Sequence, residues 1–214
     1  MRTGAETGYR AAGSLSVHGI TYPVYMESSN QFRSFALAAA PLAAAVANYC
    51  DHVEHNEVAA GDDVLRAGEG LRLLALELAA EAKRDLIHLY AERLGAIEAR
   101  NVVARPGGFD GHAAALSAET WRDLQLVQVE HDRYYHPDVV GLAKVEQLRH
   151  YALHLAKIVG AFAGSADHDE LINRRLPDTL LFAIKLPTVM GKRLGDESLP
   201  RQTRESAAPV ASRS

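Results

Sequence analysis

The stretch "LRLLALELAAEAKRDLIHLYAERLGAIEAR", Leu71 to Arg100, decides the fold class of this chain of 214 residues. Its leucines and isoleucines recur every three or four residues, and this spacing places their side chains on one face of an α-helix. The apolar surface covers more than half of the helix circumference, which is typical of a helix that packs into a core. The pattern extends in both directions, so we predict one long helix from about Val64 to Asn101.

Similar patterns predict further helices at about 28–57, 117–135, 142–163 and 169–194. A capping box at Ser28 to Gln31 opens the first of these helices, and prolines interrupt the first at Pro41 and the last at Pro187. Residues 16–26 have the β-branched and aromatic content of short strands. We therefore predict an all-α fold, a bundle of about five helices with a short N-terminal β element and more than about 60% helix.

The expected domain organisation is simple, because this chain length suits one domain with a substantial core. We expect a flexible N-terminus with short β strands at 1–27, a single helical domain at 28–197 and a disordered tail at 198–214. The single cysteine, Cys50, argues against a disulfide framework and predicts a buried thiol. This cysteine usage fits a cytoplasmic location.

Net charge and hydropathy exclude some partners. The formal charge of -4 gives no overall field that favours nucleic acid or an anionic membrane. The most apolar segment, Phe35 to Cys50, is rich in alanine, short and broken by Pro41. We therefore predict that it is a buried helix and that the chain has no membrane contact.

An acidic stripe marks the helix predicted at Val64 to Asn101. Spacings of four, four, three and four residues place the following side chains above one another: Glu77, Glu81, Asp85, His88 and Glu92. Like charges at this spacing repel, and a divalent cation would offset the repulsion because Mg²⁺ and Mn²⁺ take carboxylate oxygens. The stripe thus predicts a metal site at Glu77, Glu81, Asp85 and His88. The alternative is a solvated acidic face that basic groups of a neighbouring helix balance.

A second polar stripe lies in "VEQLRHYALHLAK", which spans 145–157. Helical spacing puts His150, His154 and Lys157 on one face, and these groups would neutralise the phosphate oxygens of a ligand. The preceding segment "VEHDRYYHPD" at 129–138 is dense in ionisable groups, and it is either a solvated helix end or the rim of a site.

Two further chemistries could use these residues. His150 and His154 are one turn apart and could bind a transition metal such as iron, with Glu146, Glu130 or His136 completing the shell. A histidine–aspartate phosphohydrolase would instead use the pair His131 and Asp132 with a second histidine, His88 or His112, and a later acid, Asp178. The same dipeptide recurs at 168–169, so its presence at 131–132 is weak evidence for a phosphohydrolase.

The run "RHYALH" at 149–154 resembles the R-x4-H motif of HEPN-type ribonucleases. The resemblance implies that Arg149 and His154 form an active pair across a dimer, that His150 is the accessory polar residue, and that RNA is cleaved without a metal.

The segments "HYALHLAKIVGAFA" and "LPDTLLFAIKLPTVMGKRLGDE" together resemble the paired helices of MazG-type nucleotide pyrophosphohydrolases. That family is all-α, oligomeric and magnesium-dependent, and it hydrolyses nucleoside triphosphates to monophosphates. The resemblance carries over one acidic residue, Asp178. Lys157 and Gly160 stand where the family has the acids of a Glu-x-x-Glu motif, and Arg175 stands at a further acidic position.

These observations lead to one main hypothesis: a small helical metal-dependent hydrolase that acts on a phosphorylated or nucleotide-like ligand. Mg²⁺ or Mn²⁺ would lie on the acidic stripe, and the catalytic groups would be His150, His154, Lys157 and Asp178. The alternatives are a non-enzymatic helical oligomerisation or binding module, a HEPN-type ribonuclease, and a non-heme iron helical-bundle enzyme. We expect a homo-oligomer, and we expect nucleic acid as a partner only under the ribonuclease alternative.

Overall fold

A computed structural model describes the backbone of residues 14–17, 20–23, 28–101, 108–165 and 167–201. It describes the side chains within 30–100, 108–165 and 167–201. Helix accounts for 79% of the residues whose side chains are described, which confirms the predicted all-α class. The predicted flexible segment 1–13 and tail segment 202–214 lie outside the described residues.

The described chain begins with two short strands, and helices follow. Strand β1 (Ser14–Val17) pairs antiparallel with β2 (Ile20–Pro23), with Leu15 opposite Tyr22. The helices are α1 (Ser28–Glu54), α2 (Gly61–Glu81), α3 (Leu86–Asn101), α4 (Gly111–Ser117), α5 (Trp121–Tyr135), α6 (Pro137–Val140), α7 (Lys144–Gly164), α8 (His168–Glu170) and α9 (Leu176–Val189), with a π-helical turn (Leu171–Arg175) between the last two.

Helix α9 is the central element of the bundle. Its residues from Leu176 to Pro187 are all buried, and it contacts α2, α3, α5 and α7. Most of these residues are apolar, which is typical of a helix that neighbours enclose on every side. Asp178 and Lys185 are also buried here, and their separation of two helical turns places them on the same side of α9.

A π-helical turn leads into α9, and a proline explains its position. Leu176 donates its backbone N–H to the carbonyl of Leu171, five residues earlier. Pro177 has no N–H, so it cannot make the α-helical bond to the carbonyl of Asn173, and the wider turn follows. The hydroxyl of Thr179 then donates to the carbonyl of Arg175 at 2.9 Å. The π-helical turn therefore continues directly into α9, and the chain is still helical where Asp178 enters the core.

Helix α1 buries one face of its alanine-rich segment, as the sequence predicted. Phe35, Ala39, Val46 and Cys50 are buried against the core, whereas Ala44 on the opposite side is exposed. The burial raises the pKa of the Cys50 thiol. None of the helices in the described part of the chain has both the length and the hydropathy that a bilayer-spanning segment needs.

The prediction of one long helix from Val64 to Asn101 is wrong, because the helix ends at Glu81 and a new helix begins at Leu86. The N–H of Lys83 donates to the carbonyl of Ala80, and the N–H of Arg84 donates to the carbonyl of Ala79. This pair of bonds forms a Schellman motif, which ends a helix with one residue in the left-handed conformation. Lys83 has a φ of 53°, and glycine, the usual residue here, is not present to reveal the break.

Substitution of Lys83 by glycine is expected to stabilise the protein by about 1 kcal/mol, because glycine adopts the left-handed conformation without the steric cost of a Cβ. Urea denaturation would measure the change in the free energy of unfolding. The matched control is Ala82→Gly, since Ala82 has a φ of -74°. That control should destabilise the protein by about 0.5–1 kcal/mol, and a loss of stability in Lys83→Gly would contradict the proposed motif.

The segment after α9 stays packed against the domain beyond residue 197, where the sequence predicted the end of the domain. Ser198 forms an antiparallel bridge with Thr120, and Leu199 is buried. Arg201 donates to the carbonyls of Leu116 and Ala118 at 2.8 and 2.6 Å, which satisfies the C-terminal end of α4. Residues 198–201, assigned from sequence to the disordered tail, therefore belong to the packed domain.

Candidate functional site

A cavity of about 340 Å³ lies where α3, α5, α6, α7 and α9 meet. Its basic and imidazole-bearing residues are Arg93, Arg100, Lys185, His136, His150 and His154. Its acids are Asp132, Asp138 and Asp178, and the rings of Tyr151 and Phe182 add an aromatic surface. The lining residues of α3, namely Arg93, Ile97 and Arg100, are four and three residues apart, and this spacing places them on one helical face.

A buried ion pair forms one wall of this cavity. Lys185 Nζ lies 2.8 Å from Asp132 Oδ1, and each side chain is only 8% exposed. Gln128 Nε2 donates to the same carboxylate oxygen at 2.9 Å, and Tyr90 donates its hydroxyl to Gln128 Oε1 at 2.6 Å. Burial of opposite charges is costly unless such hydrogen bonds satisfy the remaining polar atoms. The ammonium also lies 5.6 Å from the ring centroid of Tyr151.

A second ion pair joins α3 to α9. Arg93 Nε donates to Asp178 Oδ1 at 2.6 Å, and an Nη donates to Oδ2 at 3.4 Å. The side chains are 12% and 11% exposed. The cavity therefore has two nearly buried cations, and its own carboxylates neutralise them. Buried ion pairs of this kind often add no net stability, so stabilisation of the fold does not by itself explain them.

The histidines of the cavity form a cluster of low basicity. The rings of His150 and His154 are 4.7 Å apart, and the ring of His154 stacks on Phe182 at 5.1 Å. Burial lowers the pKa of His154 to about 4, and the nearby His150 and Lys157 add to the effect. Burial and Lys185 also lower the pKa of His150. These imidazoles are consequently neutral near pH 7 and can accept protons.

His136 is the third imidazole of the cavity, and His131 lies behind it at a ring distance of 6.3 Å. Burial and Lys185 lower the pKa of His136. His131 is fully buried, its pKa falls to about 3 mainly because of that burial, and its ring nitrogens have no hydrogen-bond partner among the described residues. The nearest carboxylate oxygen, Glu98 Oε1, is 3.6 Å from Nε2. Asp132 thus lines the cavity whereas His131 does not.

The predicted acidic stripe does not lie on one helix, because the break at Lys83 separates its members. Glu77 and Glu81 line a different groove beside α1, where Gln31 donates to Glu81. The carboxylate of Asp85 caps α3 by accepting from the backbone N–H of Ile87 and of His88. The prediction of a continuous stripe is therefore wrong.

The predicted metal residues show no shared coordination. His88 Nε2 lies 3.4 Å from Glu92 Oε1 on the surface of α3. Among the side chains that the structure describes, no group of three or more His, Cys, Asp or Glu residues is arranged to hold a metal ion. Asp178, the acid carried over from the MazG-type resemblance, instead binds Arg93. Binding of Mg²⁺, Mn²⁺ or iron stays a prediction.

The remaining predicted residues are distributed over the surface of α7. Arg149 pairs with Glu54 of α1 and does not line the cavity that contains His154. Lys157 is exposed and also lies outside the cavity lining. Glu146 accepts from the backbone N–H of Ala143 and so caps α7. Pairing of Arg149 with His154 for RNA cleavage stays a prediction that depends on a second subunit.

The structure thus brings together three of the predicted catalytic residues, namely His150, His154 and Asp178. Sequence reasoning missed the cations Arg93, Arg100 and Lys185, although a lysine within the apolar run "LLFAIKLP" is a signal for a buried charge with a function. Comparison of the chain with protein-family models, curated proteins and solved structures finds no match. The interpretation of the cavity rests on its own geometry.

Proposed function

We propose that this cavity binds a small phosphorylated ligand. The observation that carries the proposal is the convergence of three permanent cations and three neutral imidazoles on one cavity of about 340 Å³. This volume lies in the range typical of small-molecule sites. Arginine and lysine are the side chains that bind phosphate oxygens best, because they combine charge with several N–H donors.

The charges of the cavity suit an anion that enters an otherwise balanced site. Asp132 and Asp178 pair with Lys185 and Arg93, whereas Arg100 and Asp138 are exposed and have no ion-pair partner among the described residues, so the lining carries three cations and three carboxylates. Burial is the main cause of the low histidine pKa values, and a phosphate would offset only the smaller contribution of Lys185.

Hydrolysis of the ligand is a second candidate function, and the unprotonated imidazoles that line the cavity beside Lys185 favour it. A neutral imidazole can accept a proton from water while the water oxygen forms a bond to phosphorus and the bond to the leaving oxygen breaks. The same proton then returns to the leaving oxygen, so the histidine is regenerated. Lys185 and Arg93 would stabilise the negative charge on the phosphoryl oxygens.

Calorimetric titration with inorganic phosphate tests the binding proposal. Arg100→Gln is expected to lower the affinity for phosphate about tenfold, because one charge-assisted hydrogen bond is lost while both buried ion pairs remain. Arg122→Gln is the matched control, since Arg122 lies on α5 outside the cavity and pairs with Asp196 on the surface.

Absence of binding by the wild type at millimolar phosphate would overturn the proposal, as would an equal loss of affinity in Arg122→Gln. The hydrolysis of 4-nitrophenyl phosphate is measured on the same samples. Turnover would support the hydrolysis candidate, and binding without turnover would leave phosphate binding as the supported function.

A further inference from the structure

A second cavity of about 290 Å³ adjoins the first one. The two cavities share four lining residues, Asp132, Val140, Tyr151 and Lys185. These residues therefore form a common wall, and the buried ion pair of Lys185 and Asp132 lies at the junction. A ligand group beside this ion pair is within reach of both cavities.

The polar groups of the common wall have unused hydrogen-bonding capacity. Lys185 is 7% exposed, and of its three ammonium hydrogens only one has an acceptor among the described residues, the carboxylate of Asp132. The hydroxyl of Tyr151 likewise has no hydrogen-bond partner within the described part of the chain. Burial raises the pKa of this phenol, so it remains a neutral donor. The wall can therefore donate to a ligand that extends along it from one cavity into the other.

The far side of the second cavity is polar but mostly uncharged. Gln147 donates its Nε2 to the carbonyls of Leu142 and Val140 at 2.8 and 3.2 Å, which leaves its Oε1 without a donor among the described residues. Arg133 adds further N–H donors, since its described partner is the single carboxylate of Glu130. The apolar lining comes from Val129, Val140 and Val189.

Such a mixture of neutral acceptors, donors and aliphatic surface is complementary to a ligand group that carries several hydroxyl groups on a carbon framework. Hydroxyl groups both donate and accept hydrogen bonds, as the amide of Gln147 and the phenol of Tyr151 require. The carbon framework would contact the valine side chains of the cavity. An aromatic base has fewer groups that could use these partners.

We propose that one ligand occupies both cavities, with its phosphate in the first cavity and a sugar or polyol body that passes Lys185 into the second. The ligand is then a phosphorylated sugar or polyol. This inference rests on the proposed function, because it assumes that the first cavity takes the phosphate.

Calorimetric titration with glucose 6-phosphate and with inorganic phosphate tests the inference. The wild type should bind the sugar phosphate at least about tenfold more tightly, because hydrogen bonds and apolar contacts of the second cavity add to those of the first. Gln147→Leu should lose about tenfold in affinity for glucose 6-phosphate and keep its affinity for phosphate. The matched control is Gln31→Leu, which lies in the separate groove beside α1 and should bind both ligands as the wild type does.

Arg133→Gln provides a second variant, because Arg133 is 61% exposed and does not support the corner between α6 and α7 as Gln147 does. It should also weaken glucose 6-phosphate selectively. If phosphate binds and the sugar phosphate binds no more tightly, this inference is overturned and the proposed function stands. Equal losses for both ligands in Gln147→Leu and Arg133→Gln would also overturn it. If neither ligand binds to the wild type, both proposals fall.

Discussion

Substitution of Lys185 by methionine is expected to lower the free energy of unfolding by about 3–5 kcal/mol. Methionine keeps most of the length of the side chain but removes the ammonium that faces Asp132. The carboxylate of Asp132 is 8% exposed and would remain buried with the amide of Gln128 as its described donor. An uncompensated buried charge is costly, and urea denaturation at pH 7 would measure the loss.

A double substitution separates the lost charge from the lost packing. Adding Asp132→Asn to Lys185→Met removes the unpaired carboxylate, so most of the stability should return. Arg122→Met is the matched surface control, because its pairing with Asp196 is exposed and should contribute less than about 1 kcal/mol. Equal effects of Lys185→Met and Arg122→Met would show that the ion pair beside the cavity has no special cost.

Acid should destabilise the protein through His131, by about 3 kcal/mol between pH 7 and pH 4.5. In the unfolded chain this histidine gains a proton below its ordinary pKa of about 6.5. In the folded protein burial lowers the pKa to about 3, so the imidazole stays neutral over the whole interval. The unfolded state thus binds more protons, and the stability that is present above pH 6.5 is lost as the pH falls toward 3.

Urea denaturation at a series of pH values would test this dependence. His131→Leu should flatten the curve by about the same 3 kcal/mol and should be as stable as the wild type, or more so, at pH 7. The second expectation follows because the ring nitrogens of His131 have no hydrogen-bond partner among the described residues. His55→Leu is the control, since the side chain of His55 is 64% exposed. If the free energy of unfolding of His131→Leu depends on pH as steeply as that of the wild type, groups other than His131 cause the dependence.

Helix formation in this protein could be predicted because its signals are local. Apolar residues at every third or fourth position identify the segments that form α2, α3, α7 and α9, and this pattern does not depend on which neighbours each helix contacts. The break at Lys83 escaped prediction because a lysine occupies the left-handed position that glycine usually marks. Asp85 was a usable signal, since an aspartate before an apolar run is typical of a helix N-cap.

The candidate site could be predicted only in part. The spacing of His150 and His154 already placed both rings on one face of α7, and the ring distance of 4.7 Å agrees with that spacing. Arg93 and Asp178 are 85 positions apart in the chain, and no local pattern connects them. Their pairing depends on the contact between α3 and α9, which is a property of the packed bundle.

The sequence by itself determined the helical class and the placement of His150 and His154 on one helical face. Only the tertiary structure decided which stripe encloses a cavity. His150 and His154 of α7 line the cavity with Lys185 and Phe182 of α9, whereas Glu77 of α2 and Asp85, which precedes α3, lie outside its lining. The physical reason is that periodicity depends on neighbours three or four residues away, whereas burial and charge pairing depend on helices that are remote in the chain.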